Sequence, residues 1–116
     1  MRVLVDQCLP RRLALELIGH DATTVRAQRW LGLRNGVLLR AAVEAGFEAF
    51  ITNDSSIEFQ QNVKRIGVGV IAIVGYRNRI QDLRPLIPRI FEILTTIQPG
   101  QVITITTSAV GPSTKN

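Results

Sequence analysis

The sequence predicts an α/β fold built on a mostly parallel sheet of about five strands. Short apolar runs rich in β-branched residues alternate along the chain with segments whose apolar residues recur at helical spacing. The run 68–74 is apolar over its whole length, which is typical of a parallel strand buried on both faces. Two other runs, 3–5 and 48–52, lead into the acids Asp6 and Asp54, as strands do when they deliver side chains to the edge of such a sheet.

The chain has the size and composition of one domain. Its 116 residues, 46% of them hydrophobic, suffice for one buried core, which we expect to cover 1–107 with a polar tail over 108–116. No apolar run is long enough to cross a bilayer and no secretory signal is readable, so we expect a cytoplasmic protein with no membrane partner. Cys8 is the only cysteine, which agrees with a reducing compartment, and it is predicted to be a half-buried structural residue.

The first part of the chain predicts a helix and a second strand after the strand at 3–5. The helix begins at Pro10 and ends at Gly19. Its predicted buried residues are Leu13, Ala14, Leu17 and Ile18. A strand at 22–25 follows through a parallel crossover, with His20 as a corner residue at the opposite end of the sheet from the two acids.

The segment 26–33 is the hardest to assign. We interpret it as a loop or one helical turn with Trp30 and Leu31 packed inward. Asn35 is a suitable N-cap for the next helix, which ends at Gly46. The predicted buried stripe of this helix consists of Leu38, Leu39, Ala42 and Val43.

A third helix is predicted directly after Asp54. Ser55 and Glu58 match the capping-box pattern, in which the serine caps the helix and the glutamate reaches back to it. This helix ends at Gly67, where the apolar strand begins.

The clearest helical stripe in the chain follows that strand. Asp82 is its predicted cap, and its apolar residues are Leu83, Leu86, Ile87, Ile90, Phe91 and Leu94. Because Pro85 and Pro88 remove backbone donors, we expect the helix to start late or to bend. A fifth strand is predicted at 102–106.

Asp6 and Asp54 form the candidate site. The carboxyl ends of parallel strands meet at one edge of a sheet, so the two acids are neighbours if their strands pair. Glu58 and Asp82 are each explained by a capping role, although either acid could also join the site. The residues predicted to support Asp54 by flanking it are Thr52, Asn53 and Ser55.

The charge balance makes nucleic acid the first partner to consider. The net charge is +5, and 12 arginines outnumber two lysines, which favours planar, bidentate contacts to phosphate. Six arginines follow the predicted carboxyl ends of strands and are candidate contacts to RNA phosphates: Arg11, Arg12, Arg26, Arg29, Arg77 and Arg79. Aromatic residues make up only 5% of the chain and form no visible stacking platform, so a basic face that pairs with an acidic partner is an alternative.

Four groups of residues carry a family resemblance that runs from about Met1 to Ile97. They are Val3-Leu4-Val5-Asp6 with Leu9-Pro10, Gly19-His20-Asp21 with Val25, Asn35-Gly36 with Leu38-Leu39, and Thr52-Asn53-Asp54 with Gln60-Gln61. In these groups the chain resembles the PIN-like domains of small bacterial proteins, a family related to PIN-domain ribonucleases and to the toxin halves of toxin–antitoxin pairs. The resemblance implies a three-layer α/β/α fold, an acidic metal site that cleaves RNA, and an antitoxin-like protein partner.

The chain departs from the PIN-like pattern in its acids. Asn35 stands where an acid is usual, and Ser55 and Ser56 stand where a further acid is common. The remaining pair, Asp6 and Asp54, suits one weakly bound Mg²⁺ or Mn²⁺ better than a two-metal site. We therefore predict catalysis by Asp6 and Asp54 together with Asn35, whose amide carbonyl could serve as a ligand.

The sequence disfavours two other classes of protein and leaves two alternatives open. A two-component receiver domain needs an acid pair after its first strand, a Ser or Thr after its fourth and a Lys after its fifth, but this chain has Asp6-Gln7, Val74-Gly75 and Thr106-Thr107 there. No Gly-rich turn follows the first strand, which disfavours a dinucleotide-binding fold. A catalytically inactive PIN-like module that binds RNA or a protein partner stays open, and so does a homodimer.

Overall fold

The computed structural model describes residues 1–75 and 79–107. Its elements in chain order are β1 (Arg2–Val5), α1 (Arg12–Leu15), β2 (Asp21–Thr24), α2 (Asn35–Glu44), β3 (Ala49–Thr52), α3 (Ile57–Ile66), β4 (Gly69–Gly75), α4 (Ile80–Leu83), a 3-10 helix (Arg84–Leu86), α5 (Ile87–Thr96) and β5 (Val102–Thr107). The predicted phosphate contact Arg77 and the predicted tail 108–116 lie outside the described residues. Within the described ranges no helix combines the length and the apolar content needed to cross a bilayer.

The five strands form one parallel sheet in the order β2-β1-β3-β4-β5. β1 lies between β2 and β3, with Val5 paired to Thr24 on one side and to Ile51 on the other. The chain moves outward from β1 to β2 and then returns to the other side of β1 as β3, so the strand order reverses at β1. The predicted parallel sheet is confirmed, and the carboxyl ends of β1 and β3 flank the point of reversal where ligands collect in such sheets.

Helices cover both faces of the sheet, which makes three layers. Val3 and Val5 face a core shared with α1, α4 and α5, whereas Leu4 faces a second core shared with α2 and α3. This alternation is the period-two pattern of strand side chains. All four residues of β3 and the first five of β4 are buried, as expected of strands covered on both faces. The three-layer α/β/α fold is thereby confirmed.

Two predicted packing roles are also confirmed. Trp30 packs against the second core, where its ring meets Phe47 edge-on at 6.0 Å between ring centroids. His20 lies at the corner before β2 and stacks on Phe91 at 5.6 Å, at the opposite end of the sheet from Asp6. Both residues therefore serve the fold rather than the candidate site.

Three residues predicted to be buried are exposed instead. α1 ends at Leu15, well before Gly19, so Ile18 falls in the following turn and is 78% exposed. Val43 on α2 and Leu31 in the turn before it are also exposed. Apolar spacing predicts a helical period, but the contacts made by each face depend on where the helix ends and how it lies on the sheet.

The first two long helices begin at residues other than the predicted caps. Arg34, not Asn35, occupies the cap position of α2, and Asn35 has a left-handed φ of 45° at the helix start. Ser56, rather than Ser55, caps α3, and its hydroxyl accepts a backbone N–H at 3.2 Å. This shift places Glu58 at the second helical position, one residue too early to close a capping box.

The segment before α5 also departs from its predicted cap. Arg79 precedes α4, and its guanidinium pairs with Asp82 at 3.0 Å, so Asp82 is an ion-pair partner rather than the cap. Pro85 lies in the 3-10 helix and Pro88 in the first turn of α5, which begins only at Ile87. The late helix start predicted from the prolines is confirmed, because a first turn needs no backbone donor from proline.

An ion pair ties α1 to the 3-10 helix. Arg84 donates to both carboxylate oxygens of Glu16, at 2.9 to 3.1 Å, and Arg12 donates to the same carboxylate at 3.2 Å. The hydrogen bonds from Arg84 are the main reason why the pKa of Glu16 lies below its usual value. Since the folded-state pKa is depressed, this stabilisation is present above the pKa of an unfolded glutamate and is lost as the pH falls through the folded pKa.

Arg84→Gln is expected to raise the pKa of Glu16 toward its ordinary value, because the largest cause of the depression is removed. An NMR titration of the Glu16 side-chain carboxyl carbon measures the change. Arg89→Gln, which removes a different exposed arginine, is the control and should leave the Glu16 titration unchanged. An unchanged pKa in Arg84→Gln would contradict this account of the ion pair.

Candidate functional site

β1 and β3 bring Asp6 and Asp54 to one pocket at the carboxyl edge of the sheet. The backbone N–H of Asp6 continues the ladder with β3 by donating to the Ile51 carbonyl at 2.9 Å. Both acids are partly buried and line the same pocket, which has a volume of about 340 Å³. The two acids are neighbours, as their positions after adjacent parallel strands require.

Thr52 joins the two acids through its hydroxyl. The Thr52 Oγ1 donates to Asp6 Oδ2 at 2.7 Å and accepts the backbone N–H of Asp54 at 3.1 Å. Thr52 is fully buried and is the only buried polar side chain in the described parts of the chain. A buried hydroxyl that both donates and accepts holds the two acid-bearing loops in a defined relation.

Backbone N–H groups orient the carboxylates further. The N–H of Gln7 donates to Asp6 Oδ1 at 2.8 Å, and the N–H of Ser56 donates to Asp54 Oδ1 at 2.9 Å. Asp54 Oδ2 accepts no hydrogen bond from the described residues, and the bonded oxygens keep further lone pairs. The pair can therefore offer several carboxylate oxygens to a hard cation or to a hydrogen-bond donor.

The start of α2 also lines the pocket. Asn35 and Arg34 both line it, and the rest of the wall and floor comes from Gln7, Gly32, Leu33, Leu38 and Phe59. Asn35 thus lies where a third ligand was predicted. Arg34 was not predicted as a site residue, and the signal that could have found it is its position next to Asn35 at the start of the same helix. The Arg34 side chain adds a positive charge to the pocket that the two carboxylates line.

The other predicted supporting residues are only partly brought to the site. Asn53 follows Thr52, and its backbone hydrogen-bonds to the thiol of Cys8. Ser55 is exposed, and its carbonyl accepts from the side chain of Gln60 at 3.0 Å. The two remaining residues in this group, Glu58 and Asp82, are absent from the pocket lining.

Cys8 lies beside the acid pair, and its thiol is partly buried, as predicted. The residue is exposed overall, although its Sγ faces the Thr52 hydroxyl at 3.9 Å. Desolvation of the thiol is the main cause that raises the pKa of Cys8, and the negative charge of Asp6 adds to the rise. The thiol is therefore held in its neutral form at neutral pH, which makes it a poor nucleophile.

Among the predicted phosphate contacts in the described residues, Arg11 and Arg26 line a pocket together with one of the acids. They share a second pocket of about 210 Å³ with Asp6. Arg12 and Arg79 are engaged by Glu16 and Asp82, respectively. The remaining described member, Arg29, is exposed and has a left-handed φ of 63° in the turn after β2.

The donor set fits one cation better than two. The described part of the chain contains no group of three or more His, Cys, Asp and Glu side chains that could hold a metal. Two carboxylates and an amide carbonyl match the sparse protein ligation of Mg²⁺, which keeps several waters. No family model, curated protein or solved structure matches the chain.

Thr52→Val is expected to lower the free energy of unfolding by about 1–3 kcal/mol, because it removes the buried hydroxyl that bonds to Asp6 and to the partly buried N–H of Asp54. Urea denaturation measures the change. Thr52→Ser keeps the hydroxyl and should lose less, and Thr104→Val on an exposed position of β5 should change stability by less than about 0.5 kcal/mol. Equal losses in the valine and serine variants at Thr52 would contradict the role of the hydroxyl.

Proposed function

We propose that this chain is a PIN-like domain that binds one Mg²⁺ or Mn²⁺ at Asp6 and Asp54 and hydrolyses RNA phosphodiesters. The observation that carries the proposal is the shared pocket of the two acids, which adjacent strands deliver and the Thr52 hydroxyl connects. An acid pair fixed at the point of strand reversal is a chemically suitable place for a hard cation.

The residues around the acids support a role for each group. Asp6 and Asp54 would hold the cation, and Asn35 at the start of α2, which lines the same pocket, could add its amide carbonyl. When bound, the cation would polarise a phosphate oxygen and lower the pKa of a bound water. Arg34 lies on the same pocket wall and can accept a phosphate, since guanidinium groups bind phosphate oxygens bidentately.

Arg11 and Arg26 line a second pocket with Asp6 and add positive charge there. An RNA backbone that passes over the acid pair would meet Arg34 in one pocket and Arg11 and Arg26 in the other. Neutralisation of several phosphates releases counterions, so RNA binding should weaken steeply as the salt concentration rises. A flat salt dependence would argue against backbone contacts of this kind.

Metal binding is tested without reference to catalysis. Substoichiometric Mn²⁺ added to ¹⁵N-labelled protein should broaden the amide signals of residues near the acid pair, such as Gln7, Ser56 and Asn35, and Mg²⁺ in excess should reverse the effect. Signals at the opposite end of the sheet, such as His20, should persist. Uniform broadening, or none at millimolar Mn²⁺, would overturn the metal site.

Catalysis is tested by incubating a single-stranded RNA of mixed sequence with the protein in Mg²⁺, in Mn²⁺ and in EDTA. Cleavage in either metal and none in EDTA is the result expected for the proposed nuclease. Cleavage that persists in EDTA would contradict a metal-dependent mechanism.

A second candidate function is a catalytically inactive PIN-like module that binds RNA or an antitoxin-like protein partner. The observation that favours it is the short donor set, since no third acid joins Asp6 and Asp54 within the described residues. Salt-dependent RNA binding without cleavage in any metal would support the inactive module. Cleavage that depends on the acid pair would rule it out.

A further inference from the structure

A groove runs along the free edge of the sheet, beside β2. It has a volume of about 530 Å³, and we name it the β2 groove. Its lining residues come from α1, β2 and the turns next to them: Arg11, Arg12, Ala14, Leu15, Ala22, Thr23, Thr24, Arg26 and Ala27. It lies beside the smaller pocket that contains Asp6, with which it shares Arg11, Thr24 and Arg26.

β2 offers unused backbone N–H groups to this groove. Among the described strands, β2 has a neighbour only on its β1 side. The N–H groups of Asp21 and Val25 donate to Met1 and Val5 at 3.0 Å, so the period-two alternation turns the N–H groups of Ala22 and Thr24 outward. An exposed strand edge of this kind is a template for pairing with another extended segment.

The charge of the groove selects an acidic occupant. Arg11 and Arg26 are exposed and form no salt bridge with any described residue, whereas Arg12 shares Glu16 with Arg84. Three guanidinium groups therefore line the groove, and two of them have no acidic partner among the described residues. A second copy of this chain would place arginines against arginines, which disfavours self-pairing.

The apolar lining of the groove favours a peptide over a nucleic acid as its occupant. Its apolar residues are Ala14, Leu15, Ala22 and Ala27, and Leu15 is 71% exposed. Among the described residues no aromatic side chain lines the groove, so they offer no face on which a base can stack. A small apolar side chain can pack against the alanines and Leu15 and remove that apolar surface from water.

We propose that the β2 groove docks an extended acidic segment of a partner protein. The segment pairs with the outward N–H groups of Ala22 and Thr24, since the Thr24 carbonyl already accepts the N–H of Gln28 at 3.1 Å. Its carboxylates meet Arg11 and Arg26, and an apolar side chain packs on the apolar lining residues. Backbone pairing of this kind supplies affinity, while the side-chain pockets supply specificity. Because Arg11 and Arg26 also flank Asp6, the docked segment would block RNA, a consequence that rests on the proposed function.

Binding is measured with a fluorescently labelled short peptide of alternating glutamate and valine, in EDTA and without RNA. We expect a Kd below about 100 µM at low salt. The matched control peptide carries lysine in place of glutamate and should not bind. Amide hydrogen exchange is expected to slow at Ala22 and Thr24 in the complex and to stay unchanged on β5.

The pairing register is tested by two peptides that are N-methylated at alternate residues in opposite phases. Only one phase removes the N–H groups that face β2, so we expect one of the two peptides to lose binding and the other to keep it. Equal binding by both peptides, or binding without protection at Ala22 and Thr24, would overturn the strand-pairing proposal.

The charge contribution is tested in a variant that combines Arg11→Ala and Arg26→Ala, with Arg89→Ala as the control for loss of an exposed arginine. The double variant should bind the acidic peptide about threefold to tenfold more weakly, and the control should bind it normally. Protection of Ala22 and Thr24 by single-stranded RNA but not by the acidic peptide would assign the groove to nucleic acid. Concentration-dependent protection without any peptide would assign it to self-association.

These measurements separate the two proposals, because peptide binding in EDTA needs neither metal nor catalysis. If the peptide binds as expected but RNA is not cleaved, the docking site stands and the nuclease proposal fails. If RNA is cleaved but the peptide does not bind, the reverse holds.

Discussion

Asp6→Asn and Asp54→Asn are each expected to reduce the proposed metal-dependent RNA cleavage at least about a hundredfold, the scale of losing one preorganised electrostatic group from an active site. Both acids line the same pocket, and no third acid in the described residues compensates for the loss of either. The double variant should be about as inactive as each single one, because residues that act as a unit have non-additive effects. Rates of RNA cleavage in Mg²⁺ and Mn²⁺ measure the change.

The matched control is Asp21→Asn, which makes the same substitution at the amino end of β2, where Asp21 pairs with Arg2 at 3.3 Å. It should cleave RNA at the rate of the unsubstituted protein. Cleavage that survives in both Asp6→Asn and Asp54→Asn would show that the activity belongs to a contaminant or to another site.

Phe50→Ala is expected to lower the free energy of unfolding by about 3–5 kcal/mol. Phe50 is 1% exposed at the centre of β3, and its ring lies 6.3 Å from that of Phe59 on α3. The truncation removes a large buried side chain and leaves a cavity between the sheet and the helix layer that also lines the acid pocket. Urea denaturation followed by circular dichroism measures the loss.

Ile57→Ala provides the control for Phe50→Ala, because Ile57 lies on the same helix as Phe59 but is exposed. Its effect should stay within about 0.5 kcal/mol. A small effect of Phe50→Ala, comparable with that of Ile57→Ala, would mean that the second core is not packed as described.

The strands were predictable because burial on both faces leaves a direct mark on their sequences. β4 is apolar almost throughout, and the predicted run 68–74 differs from the observed Gly69–Gly75 by one residue at each end. The acids after β1 and β3 were predictable for the same reason, since a polar residue that ends a buried strand must lie at the sheet edge. The pairing of β1 with β3 then brought the acids together.

Helix starts were less predictable because several nearby residues can serve as caps. Ser55 and Ser56 are both suitable by type, and the structure selects Ser56, whose backbone N–H also donates to Asp54. With Ser56 as the cap, the N–H of Ser56 is bonded to Asp54, and Ser55 is left exposed. Adjacent residues of the same type can each cap a helix, and the path of the chain after β3 decides which of them does so.

Sequence alone determined the α/β class, the parallel strands and the two acids at their ends, because these follow from local hydrophobic pattern and from the geometry of parallel sheets. Tertiary structure alone decided that the Thr52 hydroxyl links the acids, that Arg34 joins their pocket, and that Arg11 and Arg26 border the free edge of β2. These contacts join residues from separate loops, and their distances depend on how the layers pack, which no local pattern encodes.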